Sequence, residues 1–312
     1  MIFQKKILYI YNIPKKMNSI PKVYFSKKIT PAQIVKMYKI LEKPLEGPIA
    51  LKIHSGEDGN RNYLKPDLFL DLYKEVSGTI VETNTAYQGK RFTNDQHEQL
   101  LSSHGWTTTF SRVEILDRNS PDKELQINNP QQISKNYVGS AIENYKSMIV
   151  LAHFKGHSMG GYGGALKQLS IGCASKGGKT YIHTAGKTND PQKWLDNLPE
   201  QDQFLRSMAD AAGSVVRYFK GNMAFINIMK NISIDCDCAK NASLPCMGDI
   251  GICSSLDPVA IDTACLDLII NSNDPGKVNF LERLNQKHGF YTIDVAEKIG
   301  IGTRNYQLVN LD

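Results

Sequence analysis

The chain has 312 residues, 41% of them apolar and 22% charged, the profile of a globular protein with a sizeable core rather than a disordered one. Lys and Arg exceed Asp and Glu by 37 − 31 = 6, but the excess is scattered. That pattern argues for solubility and small anionic ligands and against nucleic-acid binding.

The leader carries Lys5, Lys6, Lys15 and Lys16 around a short apolar run, Ile7 to Ile13. It lacks a small-residue cleavage site and is far shorter than the ~20 residues of a membrane span. We therefore expect residues 1–16 to be a disordered extension, with translation starting at Met1 or Met17. No other stretch could span a bilayer, so a cytoplasmic protein without a membrane partner is expected. Residues 17–312 are expected to form a single α/β domain, with lobes at 17–145 and 146–312 as an alternative division.

Short apolar runs alternate with amphipathic segments, which predicts an α/β fold with a largely parallel sheet and helices on both faces. Thr30-Pro31 opens a first helix, with Ile34, Met37, Tyr38 and Leu41 at helical spacing. "IALKI" (49–53) reads as a buried strand, followed by a helix from near Pro66 and the strand "TIVET". Thr93 and Gln96 form a capping box for a helix to about Leu101. "RVEIL" and "ELQI" read as strands, and residues 138–145 as a helix before the strand "MIVLA" (148–152). Gly164 to Ile171 reads as a helix. Phe204, Met208, Ala211, Val215 and Phe219 mark a long helix before the strand "MAFINIM" (223–229). Asp257-Pro258 caps a helix to Ile270, and two short helices and the strand "YQLVN" follow.

Polar loops follow four of these strands: "HSGEDGNRN", "NTAYQGKR", "HFKGHSMGGYGG" and "NISIDCDC". Ligands of open α/β sheets bind beyond the carboxyl ends of the strands, so one composite site is expected there. Gly156, Gly160, Gly161, Gly163 and Gly164 would let backbone amides approach an anion, and a helix opening at Gly164 would point its positive end at it. Gly160, Gly161, Gly163, Gly164 and Lys167 are therefore candidate cofactor contacts, against the plainer reading of a flexible loop. A P-loop would need glycine where Cys173 stands, and a dinucleotide fingerprint would need it at Leu166, which argues against ATP and NAD.

His54, His153 and His157 fall just beyond strands, and Lys155 lies between the last two. A lone histidine is more often structural and a lone lysine solvated, yet their shared position makes all four candidate acid, base or anion-binding groups. Glu57, Asp58, Glu82, Asn84 and Arg91 are weaker candidates on the same grounds.

Cys236, Cys238, Cys246 and Cys253 fall within 18 positions. Thiolates bind zinc and iron–sulfur clusters because both are soft acceptors, although this spacing matches neither a ferredoxin run nor a zinc ribbon. A Cys-x-Cys pair also permits thiol exchange. Cys253, in "IGIC", and Cys265 read as small core residues. The expected ligands are Cys236, Cys238 and Cys246, with Cys173 or a histidine as the fourth.

The segments "KIHSGEDGNRNYLKP", "ETNTAYQGKR", "HFKGHSMGGYGGALKQLSIGCASKGGKTYIHTAG", "DCDC" with "PCMGDIGI", and "SLDPVAIDTACLDL" together resemble the domain-of-unknown-function 362 (DUF362) family, from about residue 20 to the C-terminus. Its members are often described as uncharacterised Fe–S center proteins. What the resemblance implies is limited, because the family has no assigned reaction and its Fe–S label rests partly on longer members. Longer members carry a ferredoxin-like insert. This chain has no Cys-x2-Cys-x2-Cys run, so the insert's clusters do not carry over. Family members tend to have an aliphatic residue where Cys253 stands, which weakens it as a ligand.

The leading expectation is an iron–sulfur cluster, 4Fe–4S among the options, or another thiolate-bound metal such as zinc, serving electron transfer or chemistry on a small anionic molecule. A redox partner protein would accompany the first role. The alternative is a His/Lys enzyme acting on an organic acid with structural cysteines, or a metal-delivery protein without turnover.

Overall fold

The computed structural model describes residues 20–312; the expected extension at 1–16 lies outside the described residues. Eight strands form one twisted mixed sheet. In chain order these are β1 (Lys22–Ser26), β2 (Ile49–Lys52), β3 (Thr79–Glu82), β4 (Val113–Ile115), then β7 (Ser147–His153), β10 (Met223–Met229), β11 (Gly251–Ser255) and β12 (Gln307–Asn310). Two small antiparallel pairs stand outside it: β5 (Lys123–Gln126) with β6 (Lys135–Val138), and β8 (Lys155–His157) with β9 (Gly161–Gly163).

The sheet order is β12-β1-β11-β10-β7-β2-β3-β4. Pairing is parallel except at β11, which runs antiparallel to both neighbours. Strands from both halves of the chain share this sheet, with β2 from the first half paired to β7 from the second.

The helices are α1 (Pro31–Lys39), α2 (Leu70–Val76), α3 (Asn94–Ser103), α4 (Trp106–Thr109), α5 (Ala165–Ser170), α6 (Lys176–His183), α7 (Gln201–Tyr218), α8 (Pro258–Ile270), α9 (Lys277–Gln286) and α10 (Phe290–Lys298). Local chemistry sets their ends. Thr30 accepts the amide of Gln33 and Pro31 opens α1, while Asp257 accepts the amides of Val259 and Ala260 ahead of Pro258.

Every residue of β7 and β10 is buried, as a central parallel strand requires. Alternate residues serve opposite faces. Met148, Val150 and Ala152 join one core with residues of α5, α7, α8, α9 and α10, whereas Ile149 and Leu151 join a second core with residues of α1, α2, α3 and α4. Helices on both faces of a mostly parallel sheet make this an α/β protein.

Four local expectations change. Residues 138–145 are not an α-helix: the chain leaves β6 at Val138 and makes only a 3-10 turn over Ser140–Asn144. Cys253 sits within β11, not in a turn, and its pairing with Phe25 and Asn227 puts it in the middle of the sheet. The polar "KGH" and "GYG" segments pair as β8 and β9, and α6 grows from Ser175, which caps the amide of Gly178. Strands β1 and β6 are likewise additions to the expected set.

Candidate thiolate site at the strand carboxyl ends

Four adjacent parallel strands, in the order β10-β7-β2-β3, end on the same rim of the sheet. The loop after β10 folds back over the others. Its Asp237 carbonyl accepts the Glu57 amide at 2.8 Å, its Ser233 carbonyl accepts the Gly156 amide at 2.7 Å, and the Asn60 side chain donates to Ala239 O at 2.9 Å. Gly156 permits this contact because a Cβ there would lie 2.5 Å from the Ile234 carbonyl oxygen. The result is a cavity of about 300 Å³ whose walls include His54, Arg91, His157, Lys167, Lys179, Cys236 and Cys238.

One ligand atom each from His157, Cys236 and Cys238 lies within 4.8 Å of the other two. The hydrogen bond from the Cys238 thiol, joined by Lys167, His157 and Lys155, outweighs burial and holds Cys236 well below the usual thiol range. The same hydrogen bond holds Cys238 well above it, so Cys236 is the thiolate of the pair. Lys167 Nζ stands 4.0 Å from the Cys236 sulfur.

The two nearby histidines share an arrangement. His157 Nδ1 accepts the amides of Met159 at 3.1 Å and Gly160 at 2.9 Å, and His54 Nδ1 accepts the amide of Gly56 at 3.1 Å. Backbone amides only donate, so these nitrogens carry no proton and a neutral ring carries it on Nε2. Burial, reinforced by Lys167, pushes His157 down to about 4, and burial with Arg91 lowers His54. Both rings are therefore neutral near pH 7.

Behind the thiols lies Asp237, fully buried between His153 Nδ1 at 2.8 Å and Lys155 Nζ at 3.0 Å. Burial alone would raise this carboxyl, but His153 and Lys155 hold it well below the carboxylate range. His153 Nε2 also faces the Lys230 carbonyl at 2.6 Å. With a partner at each nitrogen, His153 has neither free for a metal. Burial opposes the charge of Lys155, yet Asp237 outweighs it and the net shift is upward. These two groups anchor the cysteine loop.

A second buried network forms the floor. Lys52 Nζ meets Glu82 at 2.7 Å, Arg91 bridges Glu82 at 3.5 Å and Glu57 at 3.3 Å, and Tyr87 OH donates toward Glu57 at 3.0 Å. Lys179 Nζ donates to Thr83 Oγ1 at 2.5 Å and Ala174 O at 2.6 Å. Its burial pushes it down to about 8.

A model for a "Domain of unknown function (DUF362)" matches residues 49–267, more than two thirds of the sequence and all of the cavity walls named above. The chain belongs to the DUF362 family. No curated protein matches it. Among solved structures, the DUF362 chain is similar to the lactate racemase apoprotein from Thermoanaerobacterium thermosaccharolyticum. That match has 15% identity and a TM-score of 0.40, covering 66% of this chain and 50% of the other. It is also similar to a protein from Thermotoga maritima, with 11% identity and a TM-score of 0.40, covering 86% of this chain and 59% of the other. The chain thus spans only half to three fifths of those proteins.

In this DUF362 chain the cavity brings together His54, His157, Lys167, Cys236 and Cys238 from the expected set. Two expected thiols are elsewhere. Cys173 packs in the core with its sulfur 3.8 Å from that of Met148, and burial pushes its thiol up to about 11. Cys246 donates to the Ile232 carbonyl at 3.3 Å and is absent from both the ligand group and the cavity wall.

The glycines do not form an anion cradle. Gly160, Gly161, Gly163 and Gly164 are absent from the cavity wall. The first amides of α5, those of Ala165 and Leu166, are taken by Asp262 at 2.7 and 3.0 Å. Gly164 makes room for that carboxylate, and Gly161, at φ +79°, lies against Gly289. Three wall residues carry no motif that would single them out in the sequence: Gln168, His183 and Trp194. Lys179, like Gln168 and His183, lies inside the long segment that carries the family resemblance, but nothing in that segment marks it apart from its neighbours.

Proposed function

We propose that this DUF362 protein holds a thiophilic metal on Cys236 and Cys238 and uses the adjoining cavity for chemistry on a small anionic molecule. The reading rests on one observation: two thiols and an imidazole converge within 4.8 Å at a cavity lined by lysine and arginine. Soft thiolates suit zinc, iron or copper(I). A four-iron cluster takes four protein donors as a rule, so a single zinc or iron ion fits this group better.

Cys236 would coordinate as the thiolate it already is, and Cys238 would lose its proton on binding the metal, so that the two sulfurs are the primary donors. His157 has Nδ1 committed to two amides and would have to surrender its Nε2 proton to coordinate, so it fits better as an N–H donor beside the centre. A bound metal would supply Lewis acidity at whatever position faces the cavity. The chain's own residues do the rest: Lys167 offsets thiolate charge, His54 and His157 present N–H groups, and Asp237 with His153 and Lys155 fixes the loop.

That ring tautomer also favours a second reading, a metal-free His/Lys enzyme acting on an organic acid. Anaerobic purification with zinc, iron and labile-sulfide analysis separates the two. The metal reading expects about one ion per chain, lost in Cys236→Ser and Cys238→Ser and kept in His157→Gln. Protein that stays metal-free after incubation with zinc and with ferrous iron would sink it.

A further inference from the structure

We propose that this cavity holds, alongside the thiols, a binding site for a small organic carboxylate with an apolar body. The inference names the substrate class of the centre just described and rests on that reading only in treating the cavity as the working site.

Three observations on the wall carry it. First, Lys179 is only 8% exposed and, among the described residues, has no carboxylate within 4.0 Å; its partners are a hydroxyl and a carbonyl. A buried ammonium without a counter-ion costs several kcal/mol and is relieved by an anion. Lys167 likewise has no carboxylate partner, only the distant Cys236 sulfur. The carboxylates on the wall are committed elsewhere, Glu82 to Lys52 and Arg91, and Asp235 to Arg283 and Ser243.

Second, two side-chain donors on the wall, Gln168 Nε2 and Trp194 Nε1, are buried and have no hydrogen-bond partner. Gln168 is 7% exposed, and an unpaired buried donor of this kind is rare in a folded protein. Neither atom is open to water, so a ligand oxygen reaches them only once the side chain turns into the cavity. His183, pressed by burial and the charge of Lys167 down to about 3, adds no positive charge of its own.

Third, Met159, Ile171 and the Trp194 ring, which packs 4.8 Å from His183, line the same space. Together with a volume near 300 Å³ they call for a hydrocarbon or aryl body and not for bare phosphate. The carboxylate would lie toward Lys179 and Lys167, and the body against the apolar wall.

Calorimetric titration of benzoate and of inorganic phosphate into the protein as isolated tests this. Benzoate should bind, phosphate at least about tenfold more weakly, and both Lys179→Met and Gln168→Leu should weaken benzoate about tenfold while circular dichroism shows them folded. The Cys236→Ser/Cys238→Ser double variant should still bind benzoate and lose about tenfold on adding Lys179→Met, because the carboxylate seat is Lys179. Absence of benzoate binding, equal affinity for phosphate, or indifference to both wall variants overturns the proposal. Loss of benzoate only in the double-cysteine variant also overturns it, placing the carboxylate on the metal and leaving the metal reading intact. A metal-free protein that still binds benzoate through Lys179 supports this site while removing the metal reading.

Discussion

At the scale of single residues, the DUF362 site depends on who donates and who accepts. Glu82 accepts from Lys52, Ser55, Thr83 and Arg91 with the carboxylate almost wholly buried, and these cations hold it well below its ordinary range despite burial. Removing one member of such a pair strands the other in low dielectric. Glu82→Gln should therefore cost about 3–5 kcal/mol of stability, read by urea unfolding, whereas exposed Glu98→Gln should cost less than about 1 kcal/mol. Cysteine reactivity follows the same logic. In metal-free native protein, iodoacetamide should label Cys236 ahead of Cys173, Cys253 and Cys265, since only Cys236 combines thiolate character with a place on the cavity wall. Peptide mass mapping with Cys173 labelled first would contradict that.

At the scale of elements, α5 shows how a glycine-rich opening can mislead. Its N-terminus is occupied internally, by a carboxylate reaching across from α8 and also bonded to Tyr162 and Asn227. Burial outweighs those bonds and pushes Asp262 up to about 6 from an ordinary value of 3.8. The folded state then binds this proton more tightly than the unfolded chain. Its contribution is fully present below pH 3.8 and is lost as pH rises through about 6. Relative to Asp262→Asn, the parent should lose on the order of 3 kcal/mol between pH 4 and 7 in paired urea titrations. Parallel curves for the two proteins would refute the assignment. Gly164→Ala should also destabilise, by roughly 1–3 kcal/mol, because its Cβ would sit 2.5 Å from Asp262 Oδ1.

At the scale of the whole molecule, the cavity exists because four parallel strands end on one rim and the loop after β10 closes over them. Its walls come from residues separated by up to 185 positions, His54 to Ala239. A metal bound by Cys236 and Cys238 would favour the folded state over the unfolded one. At a hundredfold excess over Kd, zinc should add about 2.7 kcal/mol, seen as a rise in Tm of about 4 °C that Cys236→Ser abolishes. Among the described residues, no helix is long and apolar enough to cross a membrane.

Much of the fold was legible in the sequence because its signals are local. The apolar runs that became β2, β3, β7 and β10, the Thr30, Thr93 and Asp257 caps, and the stripe along α7 all act within a few residues. The gathering of polar loops on one rim was also readable, since a parallel sheet sends every loop of that kind to the same edge. The choice of partners was decided by tertiary structure alone. Cys246 and Cys236 lie ten positions apart in one loop, yet only Cys236 reaches the cavity, and the protonated nitrogen of His157 is set by two amides whose placement depends on the β8–β9 turn. Gln168, Trp194 and Lys179 carry no sequence mark as a group, because burial, an unmet hydrogen bond and a missing counter-ion become visible only when distant segments pack together.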